Sequence, residues 1–271
     1  MPTDFSETSD NAFVYALEMA RVLRAELVLL HTFDLPIVDS QAIPINYGLI
    51  YETIELTNFE HFTKYLPKLR ALAEERNLDH IPMNHILMDG DLISSIKKVV
   101  TQENIDFVVM GTKGSDGWSE VFVGSNTGSV LKGVSVPVLC VPIEAKFEKI
   151  ETIAFTTRYR KKDIDALNKV LIIAKRLHAK VKCLYVRTPF SDVTEETMKR
   201  WESHFEDESI DFFVIPDEDV EETIEDFLID QGADILAMLT YKRNFFVALF
   251  SRTLTQKMSF HMRTPILVLH E

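Results

Sequence analysis

Residues 107 to 130 hold the residue types best suited to binding a phosphate group. A short, valine-rich apolar run at 107–110 predicts a buried parallel strand. Glycines follow it, and then hydroxyl and amide side chains at the start of a predicted helix: Gly111, Gly114, Gly124, Ser125, Asn126 and Thr127. Glycines let the backbone approach an anion, and the first turn of a helix offers unpaired N–H groups. The pattern predicts a phosphate-binding loop, with an ordinary strand-to-helix connection as the alternative.

The spacing of this loop differs from two common nucleotide motifs, the Walker loop and the Gly-x-Gly-x-x-Gly turn of dinucleotide sites. Gly111-x2-Gly114-x9-Gly124-Ser125 instead resembles the nucleotide loop of the universal stress protein family. Other stretches agree with that family in order, and the chain is identified as a tandem member of it. These stretches are Pro2 to Ser6, the strand Leu27 to His31, Gly90-Asp91 before a helix, and the strand Val136 to Val141.

The resemblance implies an adenine-nucleotide site in the first half of the chain, with ATP as the expected ligand, with or without Mg²⁺. It implies that Asp4 accepts a hydrogen bond from the adenine, and that Met110 and Gly111 lie beside the ribose and α-phosphate. Gly114 and Gly124 would line the phosphates, and Ser125 and Thr127 would reach the outer phosphates or the metal ion. Asn126 is included among the binding residues, with helix capping as its alternative role. No protein-held metal site is predicted.

The composition argues against several classes of partner. A net charge of −13 and a sequence pI near 5.1 argue against a nucleic-acid or acidic-membrane partner. The cationic cluster Arg158 to Lys162 is short and is interpreted as solvated charge at a helix start. No apolar run approaches the length of a membrane span, and no signal peptide is visible. Cys140 and Cys183 both fall in predicted strands and show no metal-ligand spacing. A cytoplasmic location is therefore the expectation.

An internal repeat divides the chain into two similar parts. Residues 4 to 32 align without a gap to 158 to 186, and residues 90 to 141 align to 218 to 269. Each part alternates strands and helices, so the predicted fold is α/β, with two tandem doubly wound parallel-sheet domains of Rossmann-like type. The predicted domains are residues 1–143, with the intact nucleotide loop, and residues 149–271, with a degenerate one. The second domain is not expected to bind ATP in the manner of the family.

The first domain has very little sequence in front of Asp4. In the second domain an opening strand is predicted around Ile153 to Phe155, and its counterpart should end near Pro2. Either that strand lies upstream of Met1, which we favour, or the first domain lacks its central opening strand. A missing central strand would leave two neighbouring strands unpaired.

The second domain departs from the family pattern at each binding position. The repeat places Arg158 opposite Asp4, Leu239 opposite Gly111, Lys242 opposite Gly114 and Arg252 opposite Gly124. Side chains at three loop positions should block the close approach of a polyphosphate, which indicates a domain retained for packing. A different anion site formed by the three basic residues is the alternative.

Two classes of function are open at this stage. The first is a stress-response regulatory protein that binds ATP or a related adenine nucleotide in its first domain. The second is a nucleotide-independent interaction module of the same fold. We expect at most slow ATP hydrolysis, since neither Asp91 nor Asp116 is identified as a catalytic base.

The predicted assembly and an inserted segment complete the expectations. Family dimers commonly pair through their last strands, here Val136 to Val141 and Ile266 to Leu269, and the two domains could reproduce that pairing within one chain. A further homodimer is possible. The first domain also carries an insertion whose amphipathic helix is predicted to bury five apolar side chains: Leu56, Phe59, Phe62, Leu66 and Leu69.

Overall fold

The computed structural model describes residues 1–35, 47–112, 125–240 and 263–270, with the side chains of 47–50, 125 and 126 left undescribed. Helices and strands alternate along these residues. The helices are α1 Glu7–Leu23, α2 Tyr47–Glu75, α3 Leu92–Gln102, α4 Ser125–Gly133, α5 Lys161–Leu177, α6 Glu195–His204 and α7 Val220–Gln231. The strands are β1 Leu27–Phe33, β2 Met83–Asp89, β3 Val108–Thr112, β4 Val138–Pro142, β5 Thr152–Thr156, β6 Lys180–Arg187, β7 Ile210–Pro216, β8 Ile235–Leu239 and β9 Ile266–Leu269.

The strands form one pair and one larger sheet. Strands β1 and β2 pair in parallel, and seven strands follow the order β3-β4-β9-β8-β5-β6-β7. Every pairing is parallel except that of β4 with β9, in which Leu139 lies opposite Leu267. The expected α/β architecture with a mainly parallel sheet is confirmed, because crossover helices return each strand in the same direction.

Alternate side chains of the buried strands face two apolar layers. Phe155 of β5 belongs to the layer that includes α1, α2, α5 and α6. Ala154, its neighbour, belongs to the layer that includes α3, α4 and α7. A sheet covered by helices on both faces explains why its strands read as continuous apolar runs rather than as alternating ones.

Short polar caps determine where the helices beside the first half's strands begin. Ser6 precedes α1 and its Oγ accepts from the amide of Ser9 at 3.3 Å. Asp91 precedes α3 and its Oδ1 accepts from the amides of Ile93 and Ser94 at 3.1 and 3.0 Å. Such caps satisfy N–H groups that have no partner within the helix.

The repeat register appears directly in the strand pairing. In the second half Thr156 of β5 lies opposite Leu184 of β6. In the first half Pro2 forms a parallel bridge to Leu30, at the corresponding positions. Residues 1–3 thus lie where the end of an opening strand would lie. Backbone hydrogen bonds join them to β1 on either side of Pro2. Among the described residues β1 and β2 remain a sheet separate from β3.

The inserted helix α2 differs from the prediction at its N-terminal end. Phe62 and Leu69 are buried as expected, whereas Leu56 and Phe59 are 58% and 53% exposed. The helix reaches the apolar layer against α1 and β2 only from Phe62 onward, so the earlier apolar positions have no described neighbour to cover them. Periodicity gives the face of a helix but not the length over which that face is covered.

The segment between β4 and β5 packs on α1. The side-chain amide of Asn11 donates to the carbonyls of Pro142 and Ala145, each at 2.8 Å, and Tyr15 contacts Phe147 edge-on. Helix α1 also contacts α5. Within the described part of the chain, no helix is both long and apolar enough to cross a membrane.

Candidate functional site

A cleft of about 560 Å³ opens where β1 and β3 end. Its walls come from the segment before α1, the end of β1, the turn before α3, the end of β3 and the start of α4. The residues that line it are Pro2, Thr3, Asp4, Ser6, Thr8, Ser9, His31, Thr32, Phe33, Asp34, Gly90, Asp91, Leu92, Met110, Gly111 and Thr127. Ligands of open α/β sheets bind at this edge, outside the carboxyl ends of the strands.

Four of the predicted binding residues meet in this cleft, although they are far apart in the sequence. They are Asp4, Met110, Gly111 and Thr127. Ser125 and Asn126 open α4 beside Thr127, and their side chains are not described. Gly114 and Gly124 lie outside the described residues. The roles of all eight residues remain predictions.

The carboxylate of Asp4 is held in a fixed position by Ser6. Its Oδ1 accepts from both the amide and the hydroxyl of Ser6, at 3.1 and 2.5 Å. Partial burial raises the pKa of Asp4, but these hydrogen bonds outweigh it, and the pKa lies below its ordinary value of 3.8. Asp4 is therefore ionised at neutral pH and can only accept hydrogen bonds. Because Ser6 uses Oδ1, Oδ2 can receive a donor from a ligand.

The residue after Asp4 adopts a backbone conformation that orients this loop. Phe5 has φ of 66°, in the left-handed region that large side chains rarely enter. Its ring stacks on His31 with a centroid separation of 4.1 Å, and its amide donates to Thr3 Oγ1 at 3.2 Å. In the second half Tyr159 takes the corresponding position with φ of 55°. Both halves therefore build the same strained turn at a strand end.

Gly111 is required by the packing of α1. A Cβ at this position would lie 2.5 Å from the carbonyl oxygen of Thr8 and 2.8 Å from its Cγ2. Thr8 belongs to the first turn of α1, which crosses the end of β3 at this point. The resemblance placed Gly111 beside the ligand, and the structure adds a second reason for glycine here, one that does not depend on a ligand.

A model of the universal stress protein family matches residues 1–142 of the chain. The chain belongs to the universal stress protein family. Two universal stress proteins of Methanocaldococcus jannaschii share 26% identity over 150 residues and 28% over 142 residues. Each match spans 52% of this chain, with 91% and 79% of the respective relative covered.

The solved structures extend the likeness to the second half at the level of fold. A universal stress protein from Archaeoglobus fulgidus superposes with a TM-score of 0.70, covering 99% of this chain and 96% of its own. Its sequence identity is 18%, so this likeness shows a shared fold alone.

The cleft at the ends of β1 and β3 is acidic. Asp4, Asp34 and Asp91 line it, and its described walls contain neither lysine nor arginine. Asp34 was missed by the sequence analysis, although a polar residue just beyond a buried strand is the signal that could have identified it. Three carboxylates in one cleft oppose the entry of a bare polyphosphate, since like charges repel at short range.

His31 and Thr8 are two further polar residues of the cleft that the sequence analysis did not assign. His31 Nδ1 lies 2.8 Å from the carbonyl oxygen of Thr3. A carbonyl oxygen only accepts, so Nδ1 is the donor of this hydrogen bond. The hydroxyl of Thr8 is buried and has no hydrogen-bond partner among the described residues. A buried hydroxyl without a partner is costly, and a ligand donor or acceptor would relieve that cost.

The second half carries a corresponding cleft with different chemistry. Arg158 and Leu239, which take the places of Asp4 and Gly111, both line it. Leu239 is buried at the position that glycine takes in the first half. Lys242 and Arg252 lie outside the described residues.

Proposed function

We propose that this universal stress protein binds an adenine nucleotide in the cleft between β1 and β3, and acts as a nucleotide-dependent stress-response regulator. The observation that carries the proposal is the meeting of Asp4, Met110, Gly111 and Thr127 in one cleft at the carboxyl ends of the strands. These residues come from three separate stretches of sequence, each with a role implied by the resemblance. The size of the cleft falls within the range of small-molecule sites.

In this proposal Asp4 reads the base. An ionised carboxylate accepts from an exocyclic amine, and the hydrogen bonds from Ser6 keep it in place before a ligand arrives. Thr127, which is buried in the first turn of α4, lies near the phosphates. The first turn of α4 contributes backbone N–H groups and partial positive charge, which favour an anion.

The three carboxylates of the cleft lead to an expectation about Mg²⁺. The described residues contain no group of three acidic, histidine or cysteine side chains arranged to hold a metal ion. In this proposal a cation enters bound to the phosphates, and hydroxyls such as that of Thr127 could complete its coordination. Mg²⁺ would also offset the repulsion from Asp34 and Asp91. We expect ATP to bind more tightly with Mg²⁺ than without it.

Isothermal titration calorimetry of the full chain with ATP and Mg²⁺ tests this proposal. We expect saturable binding that weakens about tenfold or more in Asp4→Ala, because a charge-assisted hydrogen bond is lost. Asp79→Ala, which removes an exposed carboxylate outside the cleft, is the matched control and should bind like the unaltered chain. Absence of saturable binding in the unaltered chain would refute the proposal.

We further propose that the two halves, residues 1–143 and 149–271, act as an intramolecular pseudo-dimer, with the second half as a packing partner. The pairing of β4 with β9 and the contact of α1 with α5 support this arrangement. Because β9 covers the edge of β4, a homodimer of this chain would need another surface. Light scattering on the purified chain distinguishes a single 31.1 kDa species from a dimer of twice that mass.

A nucleotide-independent interaction module is the second candidate function. The observation in its favour is the exposure of two large apolar side chains about one turn apart on α2, Leu56 and Phe59. This candidate predicts that partner binding survives in Asp4→Ala and does not change with ATP. The nucleotide-dependent proposal predicts that ATP alters it.

A further inference from the structure

The cleft of the second half has a volume of about 310 Å³. It opens at the carboxyl ends of β5, β6 and β8, with Thr156, Thr188 and Leu239 among its walls. The chain passes from β5 to β6 on one side and returns through β8 on the other side of β5. Such a reversal of strand order is the position at which open α/β sheets bind ligands.

The charge of this cleft is opposite to that of the first. Arg158 and Arg160 line it, with Asp192 as the acidic residue of its walls. The first cleft instead presents three carboxylates among its described walls. Residues 158–162 carry four cationic side chains in a chain whose net charge is −13. A local positive site in an acidic protein favours an anionic ligand.

Hydrogen bonds to the side chain of Asp163 hold the loop that carries both arginines. This fully buried carboxylate accepts from the Thr157 hydroxyl at 2.9 Å and from the amides of Arg158 and Arg160 at 2.8 and 3.1 Å. All three hydrogen bonds end on Oδ2. The first half has Ser9 at the corresponding position, so this anchor is particular to the second half. A loop held in this way presents its arginines with little loss of entropy on binding.

Two further side chains define the mouth of the cleft. Phe190 lines it and is 95% exposed, and an exposed aromatic face at a cleft can stack on a ring. Arg160 Nη2 pairs with Asp192 Oδ1 at 2.6 Å, and both side chains are more than half exposed. An exposed ion pair contributes little stability, so a stronger anion can replace Asp192 as the partner of Arg160.

We propose that the second cleft binds a small aromatic ligand with a single phosphate or carboxylate group. Arg158 and Arg160 hold the anionic group, Phe190 stacks on the ring, and Asp192 gives up Arg160 when the ligand enters. Leu239 lines this cleft at the position of Gly111, and a volume of about 310 Å³, against about 560 Å³ in the first half, suits one compact anionic group. This site is independent of nucleotide binding in the first half.

Calorimetric titration of the full chain with phenyl phosphate and, separately, with benzoate tests the proposal and shows which anion is preferred. We expect saturable binding of at least one of them, weakened about tenfold or more by Arg158→Ala and by Arg160→Ala. Asp192→Asn should strengthen binding several-fold, because it removes the carboxylate that competes for Arg160. A purely structural role for these residues would not produce opposite effects from the two members of one ion pair.

Lys169→Ala is the matched control, since it removes an exposed cation from α5 outside the cleft and should leave binding unchanged. Thermal unfolding of each variant establishes that the fold is intact. Absence of saturable binding for both probes, or binding that survives Arg158→Ala combined with Arg160→Ala, would overturn the proposal. Either result leaves the ATP titration of the first half unaffected, so the two proposals fail separately.

Discussion

Replacing Asp163 by alanine should cause a large loss of stability, although this residue lies outside the cleft between β1 and β3. Its side chain is fully buried and its Oδ2 accepts from Thr157 Oγ1 and from the amides of Arg158 and Arg160. Asp163 also lies in the first turn of α5, where a negative charge favours the helix. Removing the carboxylate leaves all three donors without this acceptor.

The size of the loss follows from the two backbone amides. A buried donor left unsatisfied costs about 1–3 kcal/mol, whereas a hydroxyl such as that of Thr157 can rotate to another acceptor. Water can reach the partly buried amides of Arg158 and Arg160, which places the expected loss at about 3 kcal/mol. In Asp163→Asn an amide oxygen can replace Oδ2 and keep the three bonds in weaker, uncharged form. We expect that variant to lose about 1 kcal/mol.

Urea unfolding followed by far-ultraviolet circular dichroism measures these differences. Asp165→Ala is the matched control, because Asp165 lies two residues away in the same helix and is exposed. It should change the free energy of unfolding by less than about 0.5 kcal/mol. A loss below about 1 kcal/mol for Asp163→Ala, or equal losses for both alanine variants, would refute the reasoning.

Three further outcomes are expected. Gly111→Ala should destabilise the chain by about 2 kcal/mol even without ligand, because its Cβ meets the backbone of Thr8; an unchanged urea midpoint would contradict this. The amide hydrogen bonds of α3 hold the pKa of Asp91 below its ordinary value of 3.8. The stabilisation by Asp91 is thus present above that pH and lost in stronger acid, so the urea midpoints of Asp91→Ala and the unaltered chain should converge there. Burial raises the pKa of Cys140 to about 12 and that of Cys183 well above its ordinary value. Both thiols should resist Ellman's reagent until the chain is unfolded in denaturant.

Local patterns predicted much of the fold because they depend on neighbours in the sequence. The apolar run before Gly111, the helix start after Asp91 and the repeat that relates Leu30 to Leu184 all appear in the structure as expected. The exposure of Leu56 and Phe59 was not predicted, since it depends on how far α2 extends beyond the elements that cover it. The domain boundaries and the role of each proposed binding residue remain predictions.

The sequence by itself was enough to identify the family by resemblance. It also predicted the alternation of strands and helices, because periodicity carries that information locally. Tertiary structure alone placed Asp34 and Asp91 in the same cleft as Asp4. Asp4, Asp34 and Asp91 come from three stretches that meet only when β1 and the turns beside it are in place. The resemblance led us to expect that the last strands of the two halves pair, but the antiparallel direction and the register of β4 against β9 come from the tertiary structure. Charge within a cleft and the pairing of strand edges depend on distances in space, which spacing along the chain does not encode.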